Sequence, residues 1–302
     1  MNLFAGEVRA GLSKPRKELP SKYLYDELGS ALFDAITVLP EYGLTRADLR
    51  LLNRLAGDLP RDFSCVAEFG SGSGSKTRPI LGALSPETYF PIDVSAAALD
   101  RCLHELCGLA HIQPMEASYL DGLDQVNGVR GRHPLLILFL GSTIGNFDSP
   151  CRDIFLRQAR ARMQAGDAML IGFDLMKPVN TMIDAYDDPT GVTAAFNLNL
   201  LGRINRELGG DFEVRAFAHQ AIYNEDERRV EMHLRSRIDQ CVNIAEAGFR
   251  CPFRADETIW TESSHKFDAD EIPEIARANG FVPETQWIDE EWGFAENLWR
   301  AA

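Results

Sequence analysis

No strongly apolar run in this 302-residue chain is longer than six residues, Leu135 to Leu140, so no segment has the length of a membrane-spanning helix. Basic residues are in deficit. The 31 Lys and Arg stand against 45 Asp and Glu, a net charge of −14, and no Lys/Arg run exceeds Arg228-Arg229. Phosphate neutralisation needs a basic face, so this balance argues against a nucleic-acid or anionic-membrane partner. Cysteine is sparse too: Cys65, Cys102, Cys107, Cys151, Cys241 and Cys251 include no C-x-x-C pair. His104-Glu105 opens like a metal-binding H-E-x-x-H helix, but the next histidine falls at His111, so no metal is expected. Scattered thiols without a secretory apolar segment point to a reducing cytoplasm. Internal repeats and low-complexity tracts are absent as well.

What remains is a composition of globular type, 45% hydrophobic and 25% charged, with room for one large domain or two modest ones. Its most informative stretch is residues 66–74, Val-Ala-Glu-Phe-Gly-Ser-Gly-Ser-Gly. An apolar lead-in reaches Glu68, and Gly70, Gly72 and Gly74 follow at alternate positions. Asp93 then closes a second apolar run, Tyr-Phe-Pro-Ile-Asp. This reads as strand, glycine turn, helix, strand and acidic end. Glycines allow a tight turn and close approach of a ligand. An acid at the second strand end accepts from ribose hydroxyls. A nucleoside pocket at the carboxyl edge of a parallel sheet follows. The dinucleotide fingerprint is G-x-G-x-x-G, with pyrophosphate on a helix N-terminus. Here the spacing is G-x-G-x-G after an acid, and it resembles motif I of the class I methyltransferases, which bind S-adenosylmethionine (SAM). An NAD-type pocket and a ligand-free glycine turn are the alternatives.

Along the chain, the first 20 residues carry Pro15 and Pro20 and are expected to wrap the surface. Residues 27–38 have helical periodicity through Leu28, Leu32, Phe33 and Ile36, and Pro40 ends that helix. Thr45 with Asp48 reads as a capping box opening a helix over 46–57. A doubly wound pattern follows: strands near 64–69, 89–93, 110–116, 135–140 and 168–173, with helices near 76–84, 95–107 (capped by Ser95) and 150–164. After Leu175 the pattern breaks for about 90 residues, which hold helical sequence near 191–208 and strands near 213–224 and 229–238. A helix near 269–279 and a closing strand pair near 283–288 and 293–300 complete the sheet. The expected architecture is α/β, with a Rossmann-like doubly wound SAM-binding domain over 47–175 and 267–302. A second, substrate-binding lobe is expected from 1–46 and 176–266.

Several phrases carry a closer resemblance: Lys22-Tyr-Leu-Tyr25-Asp26, Leu39-Pro-Glu-Tyr42, Gly141-Ser-Thr-Ile-Gly-Asn146, Ala185-Tyr186-Asp-Asp-Pro-Thr-Gly-Val192 and Thr261-Glu262-Ser-Ser264-His-Lys-Phe267. In order, over nearly the whole chain, they resemble the histidine Nα-methyltransferases of ergothioneine biosynthesis. That family also holds fungal members acting on tryptophan-type amines. The resemblance implies transfer of three methyl groups from SAM to the α-amine of L-histidine, giving the betaine hercynine. It places Glu68, Gly70, Gly72, Lys76 and Asp93 at the cofactor and Asp121-Gly122 at its adenine. Tyr42 is implied between cofactor and substrate. Asn146 and Tyr186 would hold the α-carboxylate, and Tyr25, Glu262 and Ser264 the imidazole, with Met232 packing nearby. Gly43-Leu44 depart from the family's usual tyrosine and proline, which bears on affinity more than on chemistry, and Ser263-Ser264-His265 depart from Val-Ser-Cys.

The chemistry suits these residue types. The amine begins with hydrogens to donate and ends as a trimethylammonium with none, so the grip belongs on carboxylate and ring. An amide and a phenol suit a carboxylate; a carboxylate, a hydroxyl and a phenol suit two ring nitrogens. The Tyr42 face can attract the growing cation. Each position has a plainer reading. Asn146 would cap the next helix, Tyr186-Asp187-Asp188 would be a solvated turn, and Glu262 would pair with Lys266 on a strand. Tyr25, Tyr42 and Met232 would simply pack. The expected protein is a monomeric cytoplasmic enzyme. The rivals are an Nα-methyltransferase of another aromatic amino acid such as tryptophan, a SAM-binding protein without turnover, and an NAD-type oxidoreductase.

Overall fold

The computed structural model describes residues 2–301, leaving the outermost residues of the expected domains, 1 and 302, outside it. The chain begins with α1 (Leu3–Leu12), β1 (Lys17–Glu18), α2 (Glu27–Thr37) and α3 (Leu44–Leu55). Then come β2 (Cys65–Phe69), α4 (Arg78–Leu84), β3 (Thr88–Asp93), α5 (Ala96–Glu105), β4 (His111–Ile112), β5 (Met115–Glu116) and α6 (Tyr119–Arg130). They are followed by β6 (Leu135–Phe139), α7 (Ser149–Arg162), β7 (Ala168–Asp174), α8 (Val179–Asp184) and α9 (Val192–Leu208). The last third is mostly strand: β8 (Phe217–Asn224), β9 (Arg229–Ser236), β10 (Gln240–Ile244), β11 (Phe249–Phe253) and β12 (Thr258–His265). It closes with α10 (Ile272–Ala278), β13 (Phe281–Asp289) and β14 (Phe294–Ala301). Among the described residues no helix is long and apolar enough to cross a membrane.

Two compact units result: Leu44–Met176 with Lys266–Ala302, and Met1–Gly43 with Lys177–His265. The first holds a sheet in the order β13-β14-β7-β6-β2-β3-β4, with β5 also pairing β3. β3, β2, β6 and β7 run parallel, and β14 inserts antiparallel against β7 before the β13 hairpin partner. This parallel sheet with an inserted antiparallel strand is the Rossmann-like fold of the class I methyltransferases. Every residue of β2, β6 and β7 is buried, as strands covered on both faces require. Phe69, Tyr119, Phe139 and Phe155 pack together with centroid separations of 5.3–6.1 Å, forming an aromatic floor under the end of β2.

The other unit is built on a four-stranded sheet, β1-β12-β9-β8, with the β10-β11 hairpin beside it. The sequence assigns two of these strands in outline and leaves 239–266 without any. Here the chain departs from expectation in other places too. Residues 3–12 are not surface wrapping. Phe4, Ala5, Val8 and Leu12 recur on one helical face and are buried, and Asn2 caps the helix by accepting from the Phe4 N–H at 3.1 Å. The helix expected from Thr45 starts at Leu44, and Asp48 lies on its buried face with Leu44, Leu51, Leu52 and Leu55. α6 is a helix that weak periodicity concealed. Asp188 is not solvated: it is buried and accepts from Thr190 Oγ1, Val192 N and Thr193 N, which holds its carboxyl well below the usual range once burial is offset.

Candidate active site

In the sheet-bearing unit, the carboxyl ends of β3, β2 and β6 are neighbours because the three strands are parallel and adjacent. The glycine turn leaves β2 there. Gly70, Gly72 and Gly74 all take positive φ, 71°, 52° and 76°. At Gly74 a side chain is excluded twice over, since a Cβ would also stand 2.7 Å from Leu106 Cδ1 and 2.9 Å from Cys102 Sγ. At Gly72 the same direction meets nothing within 4 Å. The Gly72 N–H donates to Asp93 Oδ2 at 3.3 Å, and Ser95 N donates to Asp93 Oδ1 at 2.9 Å. The turn thus presents open backbone next to the acid that ends β3, an arrangement that fits the ribose and methionine parts of SAM.

Lys76 follows the turn, with Nζ 3.1 Å from Asp48 Oδ2. Glu68, expected at the cofactor, has a different task. It is 2% exposed and accepts from Thr77 Oγ1 at 2.5 Å and from Tyr89 Oη, so its carboxylate ties the loop to β3 from beneath. Burial pushes its pKa up to about 7, against the pull of the Thr77 and Tyr89 hydrogen bonds and of Lys76. Asp121 is exposed in the first turn of α6 and accepts from Ser118 Oγ at 2.6 Å. Gly122 is buried against Ile92 of β3. Asn146 is exposed in a 3₁₀ turn, Thr143–Asn146, just past β6. It does not cap α7; Asp148 does, accepting from Cys151 N at 2.8 Å. Tyr119 escaped the sequence reading because it sits where no element was assigned. Its ring stacks on Phe69 at 5.4 Å, and its hydroxyl lies 3.1 Å from where a Cβ on Gly70 would be. Burial, with the Asp93 charge nearby, pushes that phenol up to about 12.

The second unit brings the other expected residues together. β12 and β9 are antiparallel partners, with Glu262 opposite Met232 and a bulge between Trp260 and Glu262. Glu262 and Ser264 are two apart and so share a face of β12. Tyr25 Oη donates to Glu262 Oε1 at 3.5 Å. Tyr186 Oη donates to Ser264 Oγ at 2.7 Å. Tyr42 is buried, with its ring 6.1 Å from that of Tyr186 and 6.3 Å from Phe33. Phe33 and Phe196 in turn flank Tyr25 at 5.5 and 5.4 Å. Met232 is buried at 2% exposure. Lys266, the partner that the plainer reading gave Glu262, has its ammonium buried against Asp174 Oδ2 at 2.7 Å.

One further residue of this unit was missed. His219 of β8 bonds through Nε2 to the Tyr186 carbonyl at 2.7 Å and through Nδ1 to Asn197 Nδ2 at 2.9 Å. A carbonyl only accepts and an amide NH2 only donates, so the ring is the neutral Nε2–H tautomer. Burial lowers its pKa and keeps it so. His219 therefore fixes the backbone that carries Tyr186. An isolated histidine on an alternating strand gives no such signal in sequence.

Known proteins resemble this chain along nearly its whole length. Residues 4–301 match the family model described as histidine-specific methyltransferase, SAM-dependent. The histidine N-alpha-methyltransferase of Mycolicibacterium smegmatis is 39% identical over 97% of this chain and 93% of its own. Ergothioneine biosynthesis protein 1 of Schizosaccharomyces pombe is 30% identical over 89% of this chain and 37% of its own. An L-tryptophan methyltransferase of Psilocybe serbica is 28% identical over 94% of this chain and 89% of its own. With its end-to-end match, its class I sheet and a glycine turn open beside Asp93, this chain belongs to the family of histidine-specific, SAM-dependent methyltransferases.

Proposed function

We propose that this protein transfers three methyl groups from SAM to the α-amine of L-histidine, giving hercynine, and that it acts as a monomer in the cytoplasm. The observation that carries the choice of histidine is the pairing of Tyr25 with Glu262 and of Tyr186 with Ser264 on one strand face. That face presents a carboxylate, a hydroxyl and the Tyr25 phenol, the partners that a ring with two nitrogens needs, with the Tyr186 phenol beside them.

Bound SAM supplies an electrophilic methyl on a sulfonium. The chain's own residues must hold a neutral amine about 3 Å from that carbon and in line with it, which is a problem of orientation. An ammonium has no lone pair, and a dry site beside a cationic sulfonium favours its neutral form by desolvation and like-charge repulsion. Because the amine loses every hydrogen in the course of the reaction, the assigned grips avoid it. The Asn146 amide and the Tyr186 phenol take the carboxylate. Tyr25, Glu262 and Ser264 take the imidazole, with Met232 beneath. The Tyr42 face stabilises the cation that grows. Gly70, Gly72, Lys76, Asp93, Asp121 and Gly122 are assigned to SAM.

The test is incubation with SAM and the twenty amino acids, read by mass. Histidine alone should gain three CH2 units. A gain on tryptophan instead would favour the other branch of the family, and SAM binding without any methylated product would overturn the enzymatic reading.

A further inference from the structure

The sheet-bearing unit contains a cluster of ionisable groups that no step above uses. Asp48 of α3 and Glu296 of β14 are both 0% exposed. Asp48 Oδ2 accepts from Lys76 at 3.1 Å, but Asp48 Oδ1 and both Glu296 oxygens are buried without any donor among the described residues. Beyond burial, the charge of Asp48 and a hydrogen bond to it raise the Glu296 carboxyl. Two carboxylates are acceptors only, so a contact between them is a hydrogen bond only if one carries a proton. The surroundings are shaped for these groups. A Cβ on Gly172 of β7 would come within 2.7 Å of Glu296 Oε1, and one on Gly141, just past β6, within 2.5 Å of Lys76 Nζ. Lys76 from the loop faces the pair, and Glu68 of β2 feels the charges of both Lys76 and Asp48.

We infer that Asp48 and Glu296 share one buried proton, and that this proton sets the charge around Lys76 and with it the grip of the glycine loop on the carboxylate of SAM. The charges add simply. With the proton in place, Asp48 and Glu296 together carry one negative charge, which Lys76 neutralises. Without it the cluster carries one excess negative charge in a site screened from water. Such a charge draws Lys76 inward and repels an arriving carboxylate, the one anionic group SAM has. Burial and the Asp48 charge hold the Glu296 carboxyl well above the usual carboxylate range, so the protonated state persists at neutral pH. Lys76 is held in its charged form by Asp48. Asp48 and Glu296 are positioning residues that act through Lys76.

The inference rests on the reading of this unit as the SAM site, and the experiment separates the two. Titration calorimetry of SAM binding is run from neutral pH upward on the wild type and on Glu296→Gln, which mimics a permanent proton. Infrared spectra of both proteins without ligand are recorded for the band of a protonated carboxyl. Wild-type affinity should fall on the order of a hundredfold as the pair ionises, the effect of one unit charge several ångströms away at an effective dielectric near 20. E296Q should lack that fall while keeping the smaller step that Glu68 contributes. The infrared band of the shared proton should vanish in E296Q, leaving the one that Glu68 contributes near neutral pH. Parallel pH profiles, or a wild-type spectrum with no band that E296Q removes, would overturn the inference. Should E296Q fail to fold, Asp48→Asn provides the same infrared comparison. If the wild type binds no SAM at all, the functional reading fails, while the infrared comparison still decides whether the proton is shared.

Discussion

Replacing Glu68 with glutamine should change the pH dependence of stability more than stability itself. Both hydrogen bonds to Glu68, from Thr77 and Tyr89, arrive at the same oxygen, Oε2. A glutamine with its carbonyl in that place keeps both. What it loses is titration. The wild-type carboxyl is raised by burial from its ordinary 4.5 to about 7 in the folded chain. A carboxyl raised on folding binds its proton more tightly in the folded state. Its stabilising contribution is therefore full below the unfolded value and is lost as pH rises to the folded one. At about 1.4 kcal/mol per pH unit, the span from 4.5 to about 7 corresponds to a loss on the order of 3 kcal/mol. Urea unfolding, followed through the fluorescence of Trp299 buried in β14, should show wild type weakening across that window. Glu68→Gln should lack the decline, gaining on wild type by on the order of 3 kcal/mol between the ends of the window. Curves that run parallel would refute the reasoning, because they would mean that Glu68 titrates alike in the folded and unfolded chain.

Two other changes have sharp expectations. Arg130→Ala removes a guanidinium that donates two bonds to Asp167, at 2.8 and 2.6 Å, with both side chains fully buried. The stranded Asp167 charge should cost about 3–5 kcal/mol in denaturant unfolding, and a cost near that of a surface substitution would show that water reaches the site. Tyr186→Phe removes the donor to Ser264 and the proposed carboxylate grip; the KM for histidine should rise about tenfold with the SAM Kd unchanged, the worth of one hydrogen bond of roughly 1–1.5 kcal/mol. His219→Ala should move the same KM in the same direction, since it releases the Tyr186 carbonyl, whereas a fall in kcat alone would place His219 elsewhere in the reaction.

Much of the sheet was legible because its signals are local. A continuous apolar run such as Leu135 to Phe139 reports a strand covered on both faces wherever it lies, and alternate glycines before Asp93 report a turn that must take positive φ. The closing pair at β13 and β14 was legible for the same reason. The bounds that slipped were those where periodicity is weak or interrupted. α1 was masked by the prolines that follow it, α6 carries a buried arginine on its apolar face, and β10 and β11 are short and partly exposed.

By itself the sequence determined the class of fold, the nucleoside turn and, through ordered resemblance over its whole length, the family and its candidate side chains. Which groups meet was decided only in three dimensions. Asp48 reads as the capping-box partner of Thr45 but is turned inward, 28 positions before its partner Lys76. Tyr25 reaches Glu262 across 237 positions, and Lys266 reaches Asp174 across 92. Sequence pattern reports which face of an element is buried. It carries no information about what lies opposite that face, because the partner is set by how the strands cross over. The desolvation that raises Glu68 and Glu296 exists only once those crossings have closed water out.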